Sequence, residues 1–233
     1  MRLTRRLLVT AAILGALFWG ANLAAEKVAE ARIAAQAQKT FGTTSPPEVS
    51  IGGFPIILNV LQGSIPTASL EGRGLTVDEL AVDVFRIELE GIRASLSDIS
   101  EGRRIQIERG LAQAEVTSRA ITDFVRSRGY RLTVTALPGK IRVSGSVRGA
   151  TATAEGTPKQ VGRVLQFRPD SVMVEGKPLS GAALAEARKA LTFEIDLPIL
   201  PGGARITSID YREGRIVMIA TLENASLDLS GSS

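Results

Sequence analysis

Apolar and charged side chains trade places along most of this chain with a period of two. In "LTVDELAVDVFRIELEGIRASL", Leu80, Val82 and Val84, and then Ile87 and Leu89, alternate with charged residues. That period belongs to a strand with one face in a core and one in water. The phase slips at Val84–Phe85, which predicts a β-bulge in a long strand. "RRIQIERGLAQAEVT" repeats the alternation through Ile105, Ile107, Leu111, Ala114 and Val116. "YRLTVTALPGKIRVSGSVRGATATAEGTP" reads as a strand, a Pro-Gly turn and a second long strand. "GRVLQFRPDSVMVEGKP" gives two shorter strands around Pro169-Asp170, and the segment from Phe193 to Leu229 gives three more. Long strands of this kind must close on themselves or wrap a helix, because an open apolar face aggregates. The expected fold is α+β, a long curved antiparallel sheet wrapped around a helix. Aromatic residues are only 4% of the chain, so Val, Ile and Leu fill the inner face. Such an interior suits either a packed core or a hollow that holds acyl chains.

Helical signals are few. From Glu26 to Phe41 alanines dominate, and Val28, Ile33 and Ala37 recur near one face. "FGTTSPPE" then breaks the pattern. "TSRAITDFVRSRG" offers Thr117 or Ser118 as N-cap, Ile121, Phe124 and Val125 as an apolar stripe, and Gly129 as a stop. "SGAALAEARKAL" starts at Ser180 and carries Leu184, Ala187 or Arg188, and Leu191 one turn apart.

The N-terminus has a separate character. Arg2, Arg5 and Arg6 precede an uncharged run from Leu7 to Ala25. As a helix that run is about 28 Å long, close to the hydrocarbon thickness of a bilayer. Basic residues before it hold that end in the cytoplasm, so the chain beyond the run is expected outside. A cleaved signal peptide has the same layout, and the residues before Ala24 and Ala25 form a poor cleavage site. Residues 1–26 are therefore a signal peptide or a membrane-spanning anchor, and residues 27–233 an extracytoplasmic domain. Without those three arginines the 28 basic residues fall to about 25, against 24 acidic ones. The exported part has neither the basic face nor the stacking rings that nucleic acid needs.

Catalytic chemistry has little to work with. Cysteine and histidine are both absent, which removes disulfides, thiolates, the usual zinc ligands and any histidine-based triad. Asp78, Glu79 and Asp83 fall on the solvated face of the alternation. Ser180 could meet Lys177 or Lys189, but a helix cap is the simpler role for it. The chain reads as a non-enzyme, without cofactor or metal.

One segment breaks the polar habit of turns. In "VSIGGFPIILNVLQGSI" an alternating stretch stops at Gly52-Gly53, and Phe54-Pro55 opens a run of large aliphatics. Pro55 suits the first turn of a short helix, where its missing N–H costs nothing, and the glycines allow a sharp turn into it. Phe54, Ile56, Ile57, Val60 and Leu61 would form an apolar tip. Such a tip either plugs the end of the sheet as core or meets something apolar outside.

Taken with "LAVDVFRIELEGIRASL", "VTSRAITDFVRS" and the closing "IDLPILPGGARITSIDYREGRIVMIATLENASLDL", this segment resembles the actinobacterial LmeA-type lipid-binding family over nearly all of residues 27–229. The resemblance implies a tubular lipid-binding fold, like that of bactericidal/permeability-increasing protein, that holds phospholipid in an apolar groove. It further implies a place in the cell envelope, at the cytoplasmic membrane or in the periplasm. The expected partners are phospholipid or membrane glycolipid and envelope glycosyltransferases, in support of mannan elongation on lipomannan. Lipid-contact candidates are Phe54, Ile56, Ile57, Val60 and Leu61 at the tip, and Ile121, Phe124, Val125, Leu184 and Leu191 on the two helices. The competing reading is a membrane-tethered scaffold domain with a packed core and no ligand.

Overall fold

Each alternating segment forms an antiparallel strand. The computed structural model describes residues 26–35, 37–38, 42–53, 55–77, 79–94, 104–147, 149–197 and 200–228. In chain order the strands are β1 (Glu48–Gly52), β2 (Ser64–Val77), β3 (Leu80–Arg93), β4 (Arg104–Thr117), β5 (Leu132–Leu137), β6 (Lys140–Val147) and β7 (Ala150–Gly156). Next come β8 (Lys159–Val161), β9 (Val164–Phe167), β10 (Ser171–Val174), β11 (Lys177–Pro178), β12 (Phe193–Asp196), β13 (Arg205–Arg212) and β14 (Arg215–Asp228). Helices occupy residues 26–35, Ile56–Leu61, Ser118–Ser127 and Gly181–Leu191. The fold is α+β and mostly antiparallel sheet. Hydrogen bonding divides the strands among three sheets, where the alternation suggested one. Their orders are β1-β2-β3-β4-β14-β13, β11-β10-β7-β6-β5 and β12-β9-β8. No helix among the described residues is long and apolar enough to cross a membrane, and the N-terminal run expected to do so lies outside them.

Two expectations about turns are corrected. Glu79 is not a strand position, because it adopts φ 72 in the turn before β3; Asp78 lies outside the described residues. The second long strand after Pro138-Gly139 is two, since the chain turns at Gly149 to pair β6 with β7. The phase slip in β3 is present, and burial moves from Val82 to Phe85 across it. A second slip occurs at Gly91–Ile92, where Gly91 has φ 64.

The described residues separate into two compact units. One takes those within 1–72, 86–111 and 221–233, and the other those within 73–85 and 112–220. The strands β2, β3, β4 and β14 each contribute residues to both units, whereas the sequence reads 27–233 as one domain.

The second unit has a packed core. Phe167, Val134, Ala136, Val143, Ala154 and Val172 are almost wholly buried, and the helices Ser118–Ser127 and Gly181–Leu191 add Val125, Ala187 and Leu191. The Phe167 and Phe193 rings lie 5.1 Å apart in the middle of it. Tyr211 is buried here too, and its hydroxyl donates to the Pro158 carbonyl at 3.3 Å. Burial pushes its phenol up to about 12, from an ordinary value near 10. The native state therefore holds this proton more tightly than the unfolded chain does. Its contribution is complete below about pH 10 and is lost as pH rises from about 10 towards 12. Tyr211→Phe should flatten that alkaline loss, read as the difference in urea midpoint between about pH 8 and pH 11. Equal losses in both proteins would contradict it.

In the first unit, among the described residues, Ile92, Ala94 and Ile107 form a buried sheet cluster, and Ile65, Ala68, Leu89, Ile105 and Leu222 pack against it partly buried. Gly110 on β4 lets its neighbours meet. A Cβ there would sit 3.0 Å from Leu89 on β3 and 3.2 Å from Leu222 on β14, so the two leucines close over a strand that offers no side chain. Of the face expected on the first helical segment, Ala37 is buried, but Val28 and Ile33 are exposed and Glu30 is buried instead. A physical reason is visible at its carboxylate. One oxygen accepts the Ile51 N–H of edge strand β1 at 3.2 Å and the other accepts from Lys27 at 2.8 Å. An edge N–H needs a partner more than two small apolar side chains need burial.

Candidate functional site

The apolar turn after β1 is built as its residue types suggest. β1 pairs with β2 through Gly52↔Thr67, and Gly53 then turns the chain with φ 104. A Cβ on Gly53 would lie 2.6 Å from the Pro66 ring, so only glycine fits both the dihedral and the space. Asn59 donates its side-chain amide to the Gly53 carbonyl at 2.8 Å. The Asn59 N–H reaches the Pro55 carbonyl at 3.2 Å, which starts the short helix Ile56–Leu61. On that helix Leu58 is 48% and Leu61 68% exposed, one turn apart. Leu58 was not among the expected contacts, although the same aliphatic run contains it. Phe54 and the side chains of Ile56, Ile57 and Val60 lie outside the described residues.

The expected contacts on the two helices are placed in the second unit. Leu191 and Val125 are buried core, and Ile121, Phe124 and Leu184 pack against that core while partly exposed. Thr117 is the N-cap and accepts from the Ala120 N–H at 3.2 Å. Ser118 instead accepts the Ala136 N–H of β5 at 2.8 Å. Thr122 completes the attachment. Its buried hydroxyl accepts the Val134 N–H at 2.9 Å, and its proton can go to the Ser118 or the Val134 carbonyl. Ser180 occupies the N-cap position of the other helix, but its side chain makes no capping bond there. No hydrogen bond joins it to Lys177 or Lys189 among the described residues.

Of the expected contacts, Phe124 and Val125 also line a cleft of about 170 Å3, together with Arg128, Tyr130, Glu194, Ile195 and Asp196. The helix ends at Arg128, whose N–H returns to the Phe124 carbonyl, and the Tyr130 N–H returns to Val125 at 3.1 Å. That turn puts the Arg128 guanidinium over the Phe124 ring, 5.0 Å from its centre. It also sets Tyr130 beside Phe193, with ring centres 5.9 Å apart. β12 forms the other wall, in register with β9 through Phe193↔Phe167. Alternation buries Phe193 and leaves Glu194 and Asp196 exposed. Glu194 accepts from the Gln166 amide. The cleft is below the roughly 300–1,000 Å3 that encloses a drug-sized ligand, so it suits a small polar group and not an acyl chain. Arg128, Tyr130, Glu194 and Asp196 were not among the sequence candidates. The only available signal was the "RSRGY" close of the helix, and nothing local links it to "FEID".

A family model described as LmeA-like phospholipid-binding matches residues 20–221. No curated protein and no solved structure matches the chain.

Proposed function

Because the chain belongs to the LmeA-like phospholipid-binding family, we propose that it is a non-enzymatic envelope protein that holds phospholipid acyl chains against the first unit's sheet. Beside the family, the observation that carries this reading is the set of aliphatic residues Ile65, Ala68, Leu89, Ile105 and Leu222, which the small buried cluster of this sheet leaves only partly buried. A sheet face of that composition stays in contact with water only at a cost of about 25 cal/mol per Å2. An acyl chain removes that cost without asking for any polar partner. The exposed Leu58 and Leu61 of the same unit serve as the apolar tip that meets lipid, with Phe54, Ile56, Ile57 and Val60 beside them in sequence. On this reading the long strands wrap a helix in the tubular lipid-binding manner. The domain lies outside the cytoplasmic membrane behind its N-terminal signal or anchor, and it presents phospholipid or membrane glycolipid to the glycosyltransferases of mannan elongation. The scaffold alternative accounts for the packed second unit but assigns no role to the exposed Leu58 and Leu61.

Solvent extraction of purified residues 27–233, followed by mass spectrometry, tests this. The expected result is phospholipid near one equivalent per chain, and delipidated protein that takes lipid up again from vesicles. Protein that carries no lipid and acquires none would overturn it.

A further inference from the structure

We propose that the open edge of β12 and the cleft beside it take up the extended C-terminal end of a partner protein, one with lysine or arginine among its last residues. β12 is the terminal strand of its sheet. Its Leu197 N–H donates to the Arg163 carbonyl at 2.8 Å, one step beyond the Asp196↔Val164 pair. Antiparallel pairs alternate between bonded and unbonded positions. Phe193, Ile195 and Leu197 therefore turn their backbone groups to β9, and Glu194 and Asp196 turn theirs away. The side-chain bond from Gln166 to Glu194 fits an unbonded position, where side chains stand closer. The outward N–H and C=O groups of Glu194 and Asp196 have no partner among the described residues. Two other edges are covered. The Ser118 and Thr122 hydroxyls accept the Ala136 and Val134 N–H groups of β5, and Arg126 donates to the Leu132 carbonyl. Four residues of helix advance about 6 Å and two of strand about 6.7 Å, so this helix stands in for a strand. Glu30 does the same for the Ile51 N–H of β1. An edge left bare where others are covered is a template for an added strand. The walls specify which strand. Glu194 and Asp196 line the cleft together with Arg128. The Arg128 guanidinium meets the Phe124 ring and no carboxylate among the described residues. Its fork is open to a terminal carboxylate, which it can hold through two parallel bonds. A cleft of about 170 Å3 admits that group, while the residues before it run along the edge. The Glu194 and Asp196 side chains are exposed on one face of β12, and a basic side chain on the added strand falls beside them. The same acidic pair disfavours a second copy of this chain, whose β12 would bring like charges opposite.

The test uses the full chain in maltoside micelles and a fluorescein-labelled hexapeptide of alternating valine and lysine with a free C-terminal carboxylate. Fluorescence anisotropy should show saturable binding. Amidation of the carboxylate should weaken it about tenfold, which corresponds to about 1.4 kcal/mol, and R128Q should bind acid and amide alike. Exchange of the lysines for threonine should weaken binding to the wild type and leave binding to E194Q/D196N unchanged. N-methylation of alternate backbone nitrogens, tried in both phases, should abolish binding in at least one. Amide hydrogen exchange, read by NMR, separates an added strand from loose charge attraction. In the free protein the Glu194 and Asp196 N–H groups should exchange faster than that of Ile195, and the peptide should slow them at least about tenfold. The three substituted side chains are exposed, so the variants should retain the wild-type spectrum elsewhere. Absence of saturable binding, equal affinity for acid and amide, or binding that survives both N-methylation patterns would each overturn the proposal. Glu194 and Asp196 amides that are already protected in the free protein would overturn it as well, because the edge would then be covered.

Discussion

Exchanging Leu58 and Leu61 together for serine is expected to weaken vesicle binding by residues 27–233 at least about twentyfold, with stability changed by less than about 1 kcal/mol. The two side chains are 48% and 68% exposed, so the fold draws little from them, as for surface substitutions generally. A leucine transferred from water to hydrocarbon contributes about 1.5–3 kcal/mol. With 48% and 68% of the two side chains still in water, they account for about 1.7–3.5 kcal/mol together, and a twentyfold loss corresponds to about 1.8 kcal/mol. The backbone of the short helix is untouched, because its anchoring bonds come from Asn59, Pro55 and Gly53. Flotation with liposomes reads the first quantity and a urea melt the second. A variant that floats like wild type would remove the tip from the lipid contact. One that melts several kcal/mol lower would make it core.

Phe167→Ala should cost about 3–5 kcal/mol, the usual range for a buried aromatic truncated to alanine. Phe167 is fully buried and meets Phe193 at 5.1 Å. Phe193 in turn sits directly opposite it across the β9–β12 pair and touches Tyr130. The cavity left by the ring therefore opens beneath the strand that carries Glu194 and Asp196. For a chain of this size the melting temperature should fall by roughly 6–20 °C. Urea unfolding with an unchanged slope would assign the loss to packing, and a cost under about 1 kcal/mol would contradict a tightly filled core.

Strand content was legible because one face of each long strand packs inward, and period two reports that directly. The slip at Val84–Phe85 was legible for the same reason. The slip at Gly91 was not, since a glycine inside an alternating run carries no side chain to mark a face. Glu79 fitted an exposed strand face as well as a turn, and its left-handed dihedral is a conformation its side chain gives no reason to expect. "ATATAEG" hid a hairpin because alanine and threonine alternate too weakly in hydropathy to show where one strand ends. On the first helix, hydropathy favoured Val28 and Ile33 as the inner face. It could not register that the Ile51 N–H at the sheet edge would draw Glu30 inward. The apolar tip was legible from its own residues. The cleft was not, because β12 is held in place by its pairing with β9, and that pairing leaves no local mark in the sequence.

The strand order also determines the sequence of events in folding. β5, β6 and β7 pair as immediate neighbours in the chain, so their loops close at small entropic cost. β4 instead lies beside β14 in the six-stranded sheet, and the Glu115–Arg215 ion pair of those strands joins residues 100 positions apart. Contacts of such separation form late and slow the whole reaction. Until β14 arrives, β4 presents a long unpaired edge to other chains. Truncation before Arg215 would make that exposure permanent and should promote aggregation.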